Sequence, residues 1–398
     1  MKFTIESKPL LEGLKRAGVL ISSRSTLPIL SCVRLRVHEG ALVAESTDLD
    51  RYRRAVLIPA GGGDVGEVLE AGDADGAAFS IRRLVSLVGQ MSDPVSVDIG
   101  ERDTMWLTSG GKRATVLGLS GGEFPAMPDE PAVAAWSAVP AGLMEGLERC
   151  GFAVSTDETR YMLNGAYLAQ DGQVVATDGR RLAKYAVELG IPEDVIVPTN
   201  ALGVILAAGA EAGAGDEDAP GALQWAWGAD GTGGGGNGPI WLRWGAGELF
   251  CGKLVEGRYP NWRQVIPGEA NQVVRVQRSA VLEAIAFVRA MVSDKHNSVV
   301  LEILEDGRGR VSANAPDAGD ARMDLEVTTP SGGAPDPMRI AVNPALWGAG
   351  ISHAPGAGEW LAIHLIDEMS PMVLRGTDEA GAELPEWLYV VMPMRVTN

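Results

Sequence analysis

The chain has 398 residues, too many for one ordinary core, so two or three domains are expected. Its 34 Lys and Arg stand against 52 Asp and Glu, and the formal charge of −18 excludes a protein that coats nucleic acid with a positive surface. At 46% apolar and 22% charged residues it can bury substantial cores, which separates it from disordered acidic chains.

The opening Met1-Lys2-Phe3-Thr4-Ile5-Glu6 has no apolar leader core and no later stretch is a membrane-spanning run, so a cytoplasmic protein without a membrane partner is expected. Leu10, Leu14, Ala17 and Ile21 then recur at i, i+4, i+7 and i+11, one face of a helix that ends at Ser22, with Glu12 off the stripe. Strand, turn and strand lead into the acidic turn Ala44-Glu45-Ser46-Thr47-Asp48. A shorter helix over 81–91 centres on Leu84, and Trp106-Leu107 and Phe124-Pro125 close the unit. Pro125, Pro128, Pro131 and Pro140 mark a connector.

The series then repeats. Leu143, Leu147, Cys150 and Val154 keep the same helical spacing around Glu145 and stop at Ser155; Ala176-Thr177-Asp178 supplies the acidic turn. A second helix is expected over 200–208 around Leu202, followed by Trp241-Leu242 and Tyr259-Pro260. Gly209 to Pro220 and Gly228 to Pro239 read as long exposed loops around a short strand, 223–227; the Gly233 to Gly236 run has no GxxxxGK[ST] after it and reads as a hairpin tip rather than a phosphate cradle. Beyond Pro267-Gly268 comes a third copy: Val281, Ile285, Val288 and Val292 around Glu283, ending at Ser293. Then follow Ala313-Asn314-Ala315-Pro316-Asp317, a helix over 343–347 around Leu346, Trp360-Leu361 and Met392-Pro393. One shared feature would be chance; four in the same order predict three similar α+β domains, 1–129, 130–267 and 268–398.

Cys32, Cys150 and Cys251 lack CxxC spacing and read as reduced core thiols, and His38, His296, His353 and His364 form no ligand pattern, so no metal or cofactor is expected. Acidic groups such as Glu302, Glu305 and Asp306 leave hydrolysis as a remote alternative. Against it, Asp48 and Asp178 sit at equivalent turns, where Asp commonly bonds its own backbone.

A set of motifs in order carries a resemblance: Thr26-Leu27-Pro28-Ile29-Leu30-Ser31, Ser46-Thr47-Asp48-Leu49-Asp50, Phe124-Pro125, Arg160-Tyr161-Met162-Leu163-Asn164-Gly165, Ala176-Thr177-Asp178-Gly179-Arg180-Arg181-Leu182-Ala183, Lys253-Leu254-Val255-Glu256-Gly257-Arg258-Tyr259-Pro260 and Tyr389-Val390-Val391-Met392-Pro393-Met394-Arg395. Over essentially its whole length the chain resembles the bacterial sliding clamps, the beta subunits of DNA polymerase III. The resemblance implies the DNA-clamp fold and a head-to-tail homodimer closed into a ring, with helices lining the hole, antiparallel sheets outside and double-stranded DNA passing through. It implies a non-catalytic processivity factor, nucleoid-associated, whose partners are the replicative DNA polymerase, the clamp loader and other proteins carrying clamp-binding peptides.

Carried over by position, the peptide pocket between the second and third domains would be lined by Leu163, Thr177, Gly179, Arg180, Arg181 and Leu182. Pro260, Gln264, Val265, Val390, Met392, Pro393, Met394 and Arg395 would complete it, with Arg160, Tyr161 and Met162 at its approach. Methionines suit a surface that accepts several ligands, and Arg181 or Arg395 would address acidic groups. Arg24, Arg82 and Arg83 match positions facing the hole, with Lys8, Lys15, Arg16 and Arg149 as further DNA candidates, whereas 200–208 has no basic residue. The dimer contact would pair the edge at Ala114 and Val116 with the helix end at Met291 and Val292 of a second copy. A paralogue with a restricted or drug-insensitive role shares every one of these features.

Overall fold

The computed structural model describes residues 1–22, 25–212, 221–228, 238–292, 297–316, 318–356 and 358–395. Arg24, Ser293, His296, Asp317 and the Gly233 to Gly236 run lie outside them. The first third carries β1 (Lys2–Ile5), α1 (Ser7–Ala17), β2 (Cys32–His38), β3 (Ala41–Thr47), β4 (Arg51–Ile58), β5 (Gly66–Glu70), β6 (Ala77–Ser80), α2 (Ile81–Val88), β7 (Val95–Gly100), β8 (Thr104–Ser109), β9 (Lys112–Leu117) and β10 (Leu119–Ser120). The second carries β11 (Ser137–Ala138), α3 (Ala141–Cys150), β12 (Gly165–Ala169), β13 (Gln173–Thr177), β14 (Arg181–Ala186), β15 (Val195–Pro198), α4 (Thr199–Ala212), β16 (Gln224–Trp227), β17 (Pro239–Trp244) and β18 (Glu248–Lys253). The third carries β19 (Gln272–Gln277), α5 (Arg278–Val288), β20 (Val299–Ile303), β21 (Gly309–Ala315), β22 (Gly319–Leu325), β23 (Val327–Thr328), β24 (Met338–Val342), α6 (Pro344–His353), β25 (Trp360–Leu365), β26 (Met372–Gly376) and β27 (Trp387–Val391).

The apolar stripes explain α1, α3 and α5. Leu10, Leu14 and Ala17, then Leu143, Leu147 and Cys150, then Val281, Ile285 and Val288, are all buried, while Glu12, Glu145 and Glu283 face outward. None of these helices reaches its serine. Each stops earlier and tightens into a 3₁₀ turn (Gly18–Leu20, Gly151–Ala153, Arg289–Met291), so Ile21, Val154 and Val292 cap that turn instead of completing the helix. Two further expectations are corrected. Gly209 to Ala212 belong to α4, because alanines extend the helix past 208, and α6 runs on to His353.

Strand order follows one plan. Half-sheets β6-β2-β3-β4, β15-β12-β13-β14 and β24-β20-β21-β22 share one connectivity, and β1-β7-β8-β9, β11-β16-β17-β18 and β19-β25-β26-β27 share the other. Trp106 and Trp241 fall on the equivalent strands β8 and β17, but Trp360 is on β25, one strand early. The third Trp-Leu pair is therefore not a copy of the others, since its place is taken by Val373-Leu374 on β26.

Two compact units result, Met1–Val139 with Gly203–Leu254, and Pro140–Leu202 with Val255–Asn398. Within the first, antiparallel pairing of β4 with β18 fuses two half-sheets into a nine-stranded sheet; within the second, β14 and β27 do the same. The middle third thus contributes one half-sheet to each unit. β9 and β22 each pair on one side only among the described residues.

Charge is buried at the first junction. Glu45, 1% exposed, accepts from Arg34 at 2.7 Å, Arg36 at 2.9 Å and Arg54 at 3.1 Å, and Glu248 binds Arg53, Arg16 and the Val56 amide. All three cysteines are free and buried. In the second unit α6 lies tight on β27: a Cβ added at Gly350 would sit 2.3 Å from the Tyr389 ring, whose hydroxyl donates to Leu346 O at 2.7 Å.

Candidate functional site

The Thr-Asp motif folds into the same turn twice. Thr177 Oγ1 donates to Arg181 O at 2.6 Å and accepts from Gly179 N, while Asp178 Oδ1 accepts from the Arg180 and Arg181 amides. Thr47, Asp48 and Arg51 repeat each of these bonds around Leu49. The third residue adopts the left-handed region in both, φ +84° at Gly179 and +82° at Leu49, a conformation natural for glycine and strained for leucine.

This turn delivers the chain into β14 beside β27, with Arg181 opposite Val391 and Leu182 opposite Val390. Beyond β27 the tail is held by backbone contacts outside any strand. Met392 N donates to Arg180 O at 2.9 Å, Pro393 bridges to Val342, and Met394 N donates to Ala341 O at 2.7 Å. Leu182 and Val390 are fully buried with Tyr259 and Trp262, and Leu163 and Val265 pack on that cluster only partly buried. Met392, Pro393 and Met394 are half-buried, and Pro260, Gln264, Gly179, Arg180 and Arg395 are exposed. The outcome is a buried apolar cluster with half-buried Met392 and Met394 in the chain that follows it.

A 3₁₀ segment, Glu158–Leu163, forms the approach. Tyr161 is 55% exposed, Met162 packs over Gly257, and Arg160 donates to Asp178 O at 3.0 Å. Thr177, 9% exposed, serves the turn. Arg181 departs from its expected role: its guanidinium bonds Asp178 at 2.9 Å and Phe152 O at 2.7 Å and lies over the Phe152 ring, whereas Arg160, Arg180 and Arg395 are exposed. Reading by position missed the aromatic pair packed into this cluster. Tyr167 stacks on Tyr259 at 4.7 Å, and burial pushes the Tyr259 hydroxyl pKa well up, so it stays neutral. The Tyr259 and Trp262 pair flanking Pro260 was the available signal.

Among the cations, Lys8, Lys15, Arg82 and Arg83 are exposed on α1 and α2, which pack together. Arg16 instead donates to Glu248 at 3.2 Å and Val56 O at 3.3 Å, and Arg149 pairs with Glu145 and donates to His353 O. Both are withdrawn from the set available to phosphates. Ala114 and Val116 lie on the edge strand β9, while Met291 and Val292 end the turn after α5, which packs on β22. No cluster of three His, Cys, Asp or Glu among the described residues could hold a metal ion, and no helix there is long and apolar enough to cross a membrane.

Over its full length the chain is 26% identical to the beta sliding clamp of Pseudomonas aeruginosa, also covered completely. Among solved structures it superposes on a C. crescentus beta sliding clamp (26% identity, TM-score 0.81) and on a Bartonella birtlesii DnaN sliding clamp bound to griselimycin (25%, 0.81), with complete coverage of each chain. Family models for the N-terminal, central and C-terminal domains of the DNA polymerase III beta subunit match residues 1–68, 140–216 and 263–395 in that order, so the chain belongs to the beta sliding clamp family.

Proposed function

We propose that two copies of this chain close head to tail around duplex DNA, and that the resulting ring holds polymerase-type partners through the cleft at the β14–β27 junction. The sliding clamps are non-catalytic processivity factors of DNA polymerase III, and this chain works as one.

The observation that carries the ring is the repeated junction. Arg53 opposes Phe250 across β4–β18, and Ala183 opposes Tyr389 across β14–β27. Equivalent strands β22 and β9 have no such partner among the described residues. Extending the register sets Ala114 opposite the partner's Ala321 and Val116 opposite the partner's Gly319. A heterologous contact of this kind must close or run on as a filament, and two copies closing would cover every such edge. Three domains with boundaries near 129 and 267, with Met291 and Val292 supporting the contact, fit this assembly.

Within the ring, Lys8, Lys15, Arg82 and Arg83, together with Arg24, would face the phosphates loosely enough to slide. The cleft fits a short extended peptide: Leu163, Leu182, Val265 and Val390 take apolar side chains, Met392 and Met394 adapt to them, and Arg180 or Arg395 meets acidic groups. Binding of griselimycin by the B. birtlesii relative supports a ligand cleft on this scaffold. Loading by a clamp loader onto nicked circular DNA tests the ring: the protein should remain bound on the circle and run off once the DNA is linearised. Equal retention on both forms would sink it.

A further inference from the structure

The first junction repeats the strand register of the second, and the connector packs on it. Its register matches that of the second: Tyr52 opposes Cys251 where Leu182 opposes Val390, and Lys253 N donates to Asp50 O where Met392 N donates to Arg180 O. At the second junction the connector after Tyr259 contributes Trp262, Val265 and Ile266 and then departs, with Asn271 and Gln272 donating to Ile366 O and Asp336 O. At the first, the connector after Phe124 crosses the cluster of Tyr52, Trp241, Leu249 and Cys251 and returns to it, laying down Met127, Ala135 and Trp136.

Its hold is chemical as well as steric. Arg54, 7% exposed, donates to Glu130 Oε1 at 2.8 Å, and the Arg243 guanidinium lies 4.3 Å over the Trp136 ring. Beside these groups is a cavity of about 290 Å³ lined by His38, Arg54, Glu130 and Arg243. The connector is thus a short irregular peptide with an acidic residue seated on a buried arginine and an aromatic residue in the cleft. Such a description also fits a ligand.

We propose that the β4–β18 junction is a self-occupied peptide site with the connector from Met127 to Trp136 as its resident ligand. The external ligand it would take is a short extended peptide with an acidic residue for Arg54 and an aromatic residue for the cleft over Tyr52. By analogy of register this rests on reading the β14–β27 junction as a peptide site. Occupancy by the connector lowers apparent external affinity by the fraction of time the site is open.

The test uses the full chain carrying Glu130→Gln and Trp136→Ser, titrated with a fluorescent synthetic peptide of residues 126–136. Wild type should take up none. The variant should bind one per chain, with an apparent affinity about tenfold or more above the limit set by wild type, and should keep doing so after removal of Met392 to Asn398. A folded variant that binds none overturns the proposal. So does binding lost with the tail, which would place the peptide at the second junction and leave that reading standing. Hydrogen exchange on wild type decides the matter even where the variant does not fold. The amides of 133–136 should exchange about 100-fold faster than those of β4 and β18, and equal protection overturns the proposal.

Discussion

Glu45 shows how a single side chain sets the acid limit of the first unit. Burial alone would raise its carboxyl pKa, but the hydrogen bond from Arg36 and the charges of Arg34, Arg36 and Arg54 outweigh it and bring it down to about 2. A depressed folded value means the stabilisation is present above the unfolded value near 4.5 and is lost as pH falls toward 2. Glu45→Gln should therefore cost about 3 kcal/mol at pH 7, leaving three arginines without their anion, and much less at pH 3. Urea melts at the two pH values check this, with an equal deficit at both as the contrary result. Leu49 is the opposite case. Asn tolerates its left-handed backbone, so Leu49→Asn should raise stability by about 0.5 kcal/mol, visible as a higher Tm, whereas Gly179→Leu should lower it.

At the scale of elements, the helical stripes were legible because period 3.6 is a local property: each buried face is the one the spacing gives. The Thr-Asp turns were legible for the same reason, since their bonds span two to four residues. Partner choice between strands was not. Arg16 looked like a free helix cation because Glu248, its partner, is 232 residues away, and Trp360 looked like a repeat mark because a dipeptide carries no topology. At the second junction, position did not give the direction of Arg181, which depends on Phe152 lying behind it. Deleting Met392 to Asn398 should abolish peptide binding at the second junction while leaving the dimer intact, because β27 ends at Val391. Analytical ultracentrifugation alongside peptide titration separates these outcomes, and a monomeric truncation would assign the tail a structural role.

For the whole molecule, the charge of −18 and a DNA-encircling role are compatible once contact is confined to a few cations. If Lys8, Lys15, Arg82 and Arg83 each meet one phosphate, affinity for free linear DNA should fall about 100-fold between roughly 50 and 200 mM salt. The loaded ring on a closed circle should withstand the same change, because a topological link has no electrostatic component. Retention that tracks the free-DNA salt curve would instead mean that direct contacts hold the protein. The split of the middle third between the two units bears on synthesis as well. Strand β4 is complete at Ile58, but β18 ends at Lys253, about 200 residues later, or about 10–40 s of translation. Through that interval β4 waits as an open sheet edge on a nascent chain. Arg51, Arg53 and Arg54 along it are the kind of charges that keep such an edge from pairing with a neighbour on the next ribosome.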